Sequence, residues 1–146
     1  MRVVRHLALA AIAAAAFYGT SVPARVEAQG KARIFFVEPK NGATVKSPVH
    51  LKFGIENYKI SPVPDGDVKT ARPGVGHYHV GVDTGCLKPG ETIVKGTPSW
   101  IHFGKGDSQI DMQLTPGKHR LALQLGDDLH NTMPGACQVI TVNVKQ

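Results

Sequence analysis

The sequence predicts an all-β protein, an antiparallel immunoglobulin-like β-sandwich of about seven strands. Three observations carry this expectation. Apolar and polar residues alternate in short runs, Pro and Gly turn signals separate the runs, and no sustained helical periodicity follows residue 28. Arg33-Ile34-Phe35-Phe36-Val37 reads as the first strand. Val49, Leu51, Phe53 and Ile55 alternate with His50, Lys52, Gly54 and Glu56 in the second. In the third, Tyr78, Val80 and Val82 alternate with His77, His79, Gly81 and Asp83. Ile101 and Phe103 mark a short fourth, and Ile110, Met112 and Leu114 a fifth. His119, Leu121, Leu123 and Leu125 mark the sixth, and Ile140, Val142 and Val144 close the chain. Pro39-Lys40-Asn41-Gly42, Lys88-Pro89-Gly90 and Thr115-Pro116-Gly117 are the turns between them. The Cys and Trp spacing of antibody domains is absent, so the expectation concerns architecture only.

The N-terminus reads as a secretory signal peptide over residues 1–28. Arg2, Arg5 and His6 precede an apolar, Ala-rich run from Leu7 to Tyr18. Val22-Pro23-Ala24 and Val26-Glu27-Ala28 both offer the small residues a signal peptidase accepts. Cleavage after Ala28 is favoured, with Ala24 the alternative. An uncleaved anchor is disfavoured because the apolar run falls short of the roughly 20 residues of a comfortable span. Residues 29–146 then form a single domain, periplasmic or secreted, with no membrane span left after cleavage. The net charge of +6 is spread over scattered Lys and Arg. Nucleic-acid binding needs clustered basic residues interleaved with aromatics, and neither is present.

Cys86 and Cys137 are the two cysteines. In an exported chain such a pair most often forms one disulfide, here closing a loop of about 50 residues that the chain-entropy view values at roughly 4 kcal/mol. A thiolate metal ligand or redox thiol is the alternative. The order His130, Met133, Cys137 resembles a copper ligand set, but such a site needs a free thiolate that a disulfide would remove.

The residues that point to chemistry are histidines. His77 and His79 sit two apart in a strand-like run, so their Cα atoms lie about 6.5–7 Å apart on one face. Strand parity sets them opposite Tyr78, Val80 and Val82, which predicts a surface site rather than a core one. Two long irregular connections, residues 57 to 75 and 84 to 98, bracket the pair, and connections of that length are usually functional or disordered. His102 and His130 are the further candidate ligands, and Asp83, on the face of the pair, is the candidate acceptor that orients a ring. Neutral imidazoles suit zinc or copper. His119 shares parity with the leucines of its strand and reads as a satisfied rim or core residue. His50 lies on a polar face and needs no functional explanation.

Several strings resemble a family of small bacterial periplasmic domains of unknown function. Gly76-His77-Tyr78-His79-Val80-Gly81-Val82-Asp83 is similar to that family's Gly-His-His-His-apolar-Asp motif. Ile101-His102-Phe103-Gly104-Lys105-Gly106 is similar to its His-Phe-Gly-x-Gly segment. Pro116-Gly117-Lys118-His119, the Leu123-Gln124-Leu125 stretch and Gly126-Asp127-Asp128-Leu129-His130 resemble its third block. The opening Phe35 to Val45 and Lys52-Phe53-Gly54 match as well. The resemblance implies an exported all-β domain and brings no activity with it. Tyr78 replaces a histidine common in the family, and Asn131-Thr132-Met133 lacks another. The cysteine pair reads as an addition in this branch.

Other motifs fail. Gly104-Lys105-Gly106-Asp107 lacks the phosphate-loop pattern, and Gly74-Val75-Gly76 is no dinucleotide fingerprint. Ser99 and Ser108 have no nucleophile elbow. The first expectation is therefore an exported binding module, not an enzyme, whose partner is a copper or zinc ion or an envelope protein. The alternative is a structural or interaction domain whose histidines only organise loops. A metal-dependent enzyme ranks last, since no acid/base pair or nucleophile is evident.

Overall fold

A computed structural model of the chain describes residues 30–97 and 99–146. The expected signal peptide lies outside the described residues. Among those described the regular structure is all strand: β1 (Arg33–Glu38), β2 (Thr44–Lys46), β3 (Val49–Glu56), β4 (Lys59–Ile60), β5 (Val75–Val82), β6 (Trp100–His102), β7 (Gln109–Met112), β8 (Gly117–Gly126) and β9 (Thr132–Lys145). No helix among the described residues is long and apolar enough to cross a membrane.

The strands form two sheets. One has the order β1-β3-β7; the other has the order β2-β9-β8-β5-β4, with β6 also paired to β5. The all-β sandwich expected from the alternation is therefore present, with two differences. Nine strands replace about seven among the described residues, and β2–β9 and β4–β5 pair in parallel. The additional strands β2 and β4 span only three and two residues, too few for alternation to register. β9 also starts earlier than the apolar repeat at Ile140. Gly126 pairs with Thr132 but Gln124 with Cys137, so Met133 to Ala136 bulge out of the ladder. Pro134, which has no N–H to donate, is accommodated there.

The core lies between the sheets. On β3 the buried Val49, Leu51 and Phe53 alternate with exposed His50 and Lys52. Facing them are Tyr78 and Val80 of β5, Leu121, Leu123 and Leu125 of β8, and Ile140, Val142 and Val144 of β9. The Phe53 ring touches Phe36, Tyr78 and Phe103 at centroid distances of 5.7, 5.2 and 5.4 Å. Each such fully buried side chain contributes about 1.5–3 kcal/mol through lost contact with water.

The larger sheet is buried on its outer face too. Every residue of β5 from Gly76 to Gly81 is buried, although its outward parity positions are His77, His79 and Gly81. The two long connections cover that face. Residues 84–97 bring Leu87 and Ile93 onto Trp100, Ala122 and Val139, a second and smaller apolar cluster. The Cys86–Cys137 disulfide, Cα–Cα 6.1 Å, fastens this cover to β9. The Gln124 side chain holds it as well, accepting from Leu87 N–H at 2.9 Å and donating to the Leu87 carbonyl at 3.1 Å. On the other side Val63 N–H donates to the Gly104 carbonyl at 2.9 Å, bringing the first connection against the end of β6.

Candidate metal centre

The register of the outer face brings the histidines together. His79 pairs across the ladder with His102 of β6 on one side and Gln124 of β8 on the other, and Gln124 pairs with Cys137. One row of side chains thus runs His102, His79, Gln124, Cys137. In the neighbouring row His77 faces Gly126 and then Thr132. Residues opposite one another on a sheet face have Cβ atoms about 4.5–5.5 Å apart, within ring contact. Gly126 supplies no side chain, and the space goes to imidazoles. A Cβ there would lie 2.7 Å from His79 Cε1 and 3.5 Å from His130 Cα. Gly104 does the same for His102, since its Cβ would lie 2.3 Å from His102 Cε1.

His130 arrives from the turn between β8 and β9. Asp127 builds that turn: its Oδ1 accepts from Leu129 N–H at 2.9 Å and Asn131 N–H at 2.8 Å, and its carbonyl accepts from His130 N–H at 2.8 Å. An Asp side chain bonding the backbone just ahead is a common way to close such a turn. His130 itself has φ 66°, the left-handed region that non-glycine residues seldom adopt. The next-door Asp128 is pinned by Arg72, whose Nε and Nη2 both donate to its carboxylate at 2.8 Å. This bidentate pair neutralises the buried acid and fastens the first connection at the rim of the cluster.

The four imidazoles of His77, His79, His102 and His130 place ligand atoms within 4.8 Å of one another, a set that could hold a metal ion. The six ring-centroid separations span only 4.6 to 5.6 Å, so the rings surround a common point rather than forming a line. His130 Nε2 and His102 Nε2 stand 3.1 Å apart, one donating to the other as the tautomers dictate. Four nitrogens around zinc at 2.0–2.1 Å would be about 3.3 Å apart; the His102–His130 pair already stands near that spacing, and the widest pair would draw in by up to about 1.5 Å from the 4.8 Å span.

His77 and His79 are fully buried, and both ring nitrogens of each lack a hydrogen-bond partner among the described residues. A buried polar atom left unpaired costs about 1–3 kcal/mol. Burial, reinforced by the neighbouring imidazoles, pushes the His77 pKa down to about 3 and that of His79 to about 2. His102 and His130 are also lowered, first by burial; the neighbouring His130 ring and then Lys95 add to this at His102, and Lys95 at His130. The four rings are therefore neutral at neutral pH, with lone pairs available to a cation.

Residues 51–145 match the family model of a domain of unknown function, DUF4399. The chain belongs to that family. The DUF4399 stretch contains all four histidines and both cysteines. No curated protein and no solved structure matches the chain.

Within the DUF4399 domain the sequence-derived candidates fare differently. His77, His79, His102 and His130 converge as a group. The site is not on the surface, however: two of its four residues are fully buried and the other two half-buried. Strand parity does set these rings opposite the core, but that face of β5 is covered by loops and not by water. Asp83 does not orient any of the four rings. It follows the end of β5 at φ 54°, where strand parity no longer applies, and its carboxylate accepts from His119 Nδ1 at 3.0 Å and Arg120 N–H at 3.1 Å. His119 is the buried, satisfied histidine that its parity indicated: Nε2 bonds the Thr115 carbonyl at 2.8 Å. His50 forms an exposed pair with Asp111 at 2.7 Å. With Cys137 in a disulfide, a His-Met-Cys copper set is excluded. Gly104, Gly126, Gln124 and the Arg72–Asp128 pair also shape the site; Gly104, Gln124, Gly126 and Asp128 lie inside the motif blocks, whereas no sequence signal marks Arg72.

Proposed function

We propose that this protein is an exported metal-binding module that holds one zinc or copper ion on His77, His79, His102 and His130. The observation that carries the reading is the pair of fully buried histidines, His77 and His79, whose four ring nitrogens have no hydrogen-bond partner among the described residues and lie inside a cage of imidazoles. A buried neutral imidazole with no partner is unfavourable, and a borderline-soft cation takes the lone pair of one nitrogen from each ring. Four protein ligands fill a tetrahedral set, which favours holding or transferring the ion over catalysis at an open position. The disulfide supports an oxidising compartment, which agrees with the signal peptide expected from the N-terminus. Export places the module in the bacterial periplasm or outside the cell.

The test is calorimetric titration of the purified, chelator-dialysed protein with Zn(II), Cu(II) and Cu(I), repeated on His77→Ala and His79→Ala. One-to-one binding lost in both variants is expected. Affinity no tighter than about millimolar, or affinity indifferent to both substitutions, refutes the metal reading.

A further inference from the structure

The segment that fixes His130 is the one the disulfide fastens. Ile93 N–H donates to the His130 carbonyl at 2.8 Å, and Thr92 Oγ1 donates to Asn131 Oδ1 at 2.9 Å. Gly90 N–H donates to the Thr132 carbonyl and Thr132 N–H to the Glu91 carbonyl, each at 2.9 Å. The Thr132 hydroxyl donates to the Lys88 carbonyl. Residues 88–93 thus form a short ladder against residues 130–132, on both sides of a histidine whose φ of 66° needs support. The Cys86–Cys137 bond joins the two sides of this ladder just outside it, with Cys86 two residues before Lys88. Cys86 is exposed.

We propose, resting on the metal reading above, that the Cys86–Cys137 disulfide is a redox latch on the metal site: while closed it positions His130 as a ligand, and its reduction by a dithiol loosens His130 and speeds release of the ion. The chemistry is ordinary thiol–disulfide exchange. A thiolate of the dithiol attacks Cys86 Sγ, and the S–S bond breaks with Cys137 leaving as thiolate. The second thiol of the reductant then attacks the mixed disulfide. The dithiol ends as a disulfide, and its two electrons and two protons end on Cys86 and Cys137. The freed Cys137 thiol does not replace His130 at the ion, because it stands two strands from His79 along the row, roughly 10 Å. Asp127 still closes the turn and Arg72 still holds Asp128 after reduction. The loss is therefore partial, about the 10–100-fold that follows removal of a group orienting a metal ligand.

Zn(II) alone is the probe. Its affinity and its rate of transfer to a chromophoric chelator are measured for the oxidised protein, Cys86→Ala/Cys137→Ala, His130→Ala and the triple variant. The expected result is at least about tenfold weaker binding and faster transfer without the disulfide. His130→Ala should cause a similar loss, and the triple variant no more than either alone, because both changes act through one ligand. Equal or tighter binding without the disulfide, or losses that simply multiply, overturns the latch. Should the alanine pair not fold, reduction of the folded wild type by a phosphine supplies the same comparison. Global unfolding on that reduction, seen as loss of the β circular-dichroism signal, also overturns a local latch. If the oxidised wild type itself binds no zinc, the metal reading falls and the latch with it; zinc binding that ignores the disulfide removes the latch alone.

Discussion

β5 buries two faces equally well and uses them in opposite ways. Inward, Tyr78 and Val80 pack among Phe53, Leu123 and their neighbours, a surface that is hydrocarbon apart from the Tyr78 hydroxyl. Outward, His77 and His79 are as completely enclosed, yet among the described residues their ring nitrogens meet no hydrogen-bond partner. The inner face is closed by another sheet and the outer face by two loops, one of them tied down by a disulfide. Burial alone therefore does not indicate what a face is for. Hydrophobic enclosure stabilises the first face outright, whereas enclosure of the second yields stability only once something accepts its lone pairs.

The largest expected effect lies on the inner face. Phe53→Ala removes a ring in contact with Phe36, Tyr78 and Phe103 and should cost about 3–5 kcal/mol of unfolding free energy. Denaturant titration should return the same loss with and without zinc. A loss that shrinks when zinc is added would mean that the two faces are not energetically separate.

A smaller effect, with a definite sign, is expected from pH in the metal-free protein. The folded pKa values of about 3 for His77 and about 2 for His79 lie below the 6.5 of an unfolded histidine. Between these limits the unfolded state binds more protons, so stability rises with pH and is lost as pH falls below 6.5, by roughly 1 kcal/mol per pH unit for each of these protons. His119 runs the other way. Burial lowers its pKa, but bonds to the Thr115 carbonyl and Asp83 outweigh this and raise it. Its contribution is complete below 6.5 and fades as pH rises through its folded pKa. Denaturation at pH 7 and pH 5 should show the buried pair dominating, with the metal-free protein weaker at pH 5. A chain equally stable at both would contradict the burial of the outer face.

The two faces also differed in how far the sequence disclosed them. Val49, Leu51 and Phe53, and likewise Leu121, Leu123 and Leu125, lie at period two because each strand meets the core on one side, and their strands were legible for that reason. β2 and β4 were not, because their positions are set by where β9 and β5 run. The convergence of the four histidines was legible from parity and motif, but their burial was not. Residues 57 to 75 and 84 to 98 announce their length through Pro and Gly, and nothing in that composition states which face they cross. Gly104 and Gly126 matter through side chains they lack, which leaves no periodic mark. Asp83 lies one residue past the end of β5, where φ turns positive and parity no longer holds.

The smallest expected effect separates the faces most sharply, because its sign is reversed. On the inner face any loss of apolar volume destabilises. On the outer face His79→Leu replaces an imidazole with two unpartnered nitrogens by an apolar side chain of similar reach. Removing an unsatisfied polar group can be neutral or favourable, here by up to about 1 kcal/mol. In chelator-treated protein the variant should therefore melt at or slightly above the wild type. In zinc the order should invert, because a ligand that binds only the folded state stabilises it by RT ln(1 + [L]/Kd), about 4 kcal/mol at a thousandfold excess over Kd, and the variant forgoes that gain. A variant that melts well below the wild type without metal would show that His79 has a structural partner, and the four-imidazole cage would then need no ion to account for it.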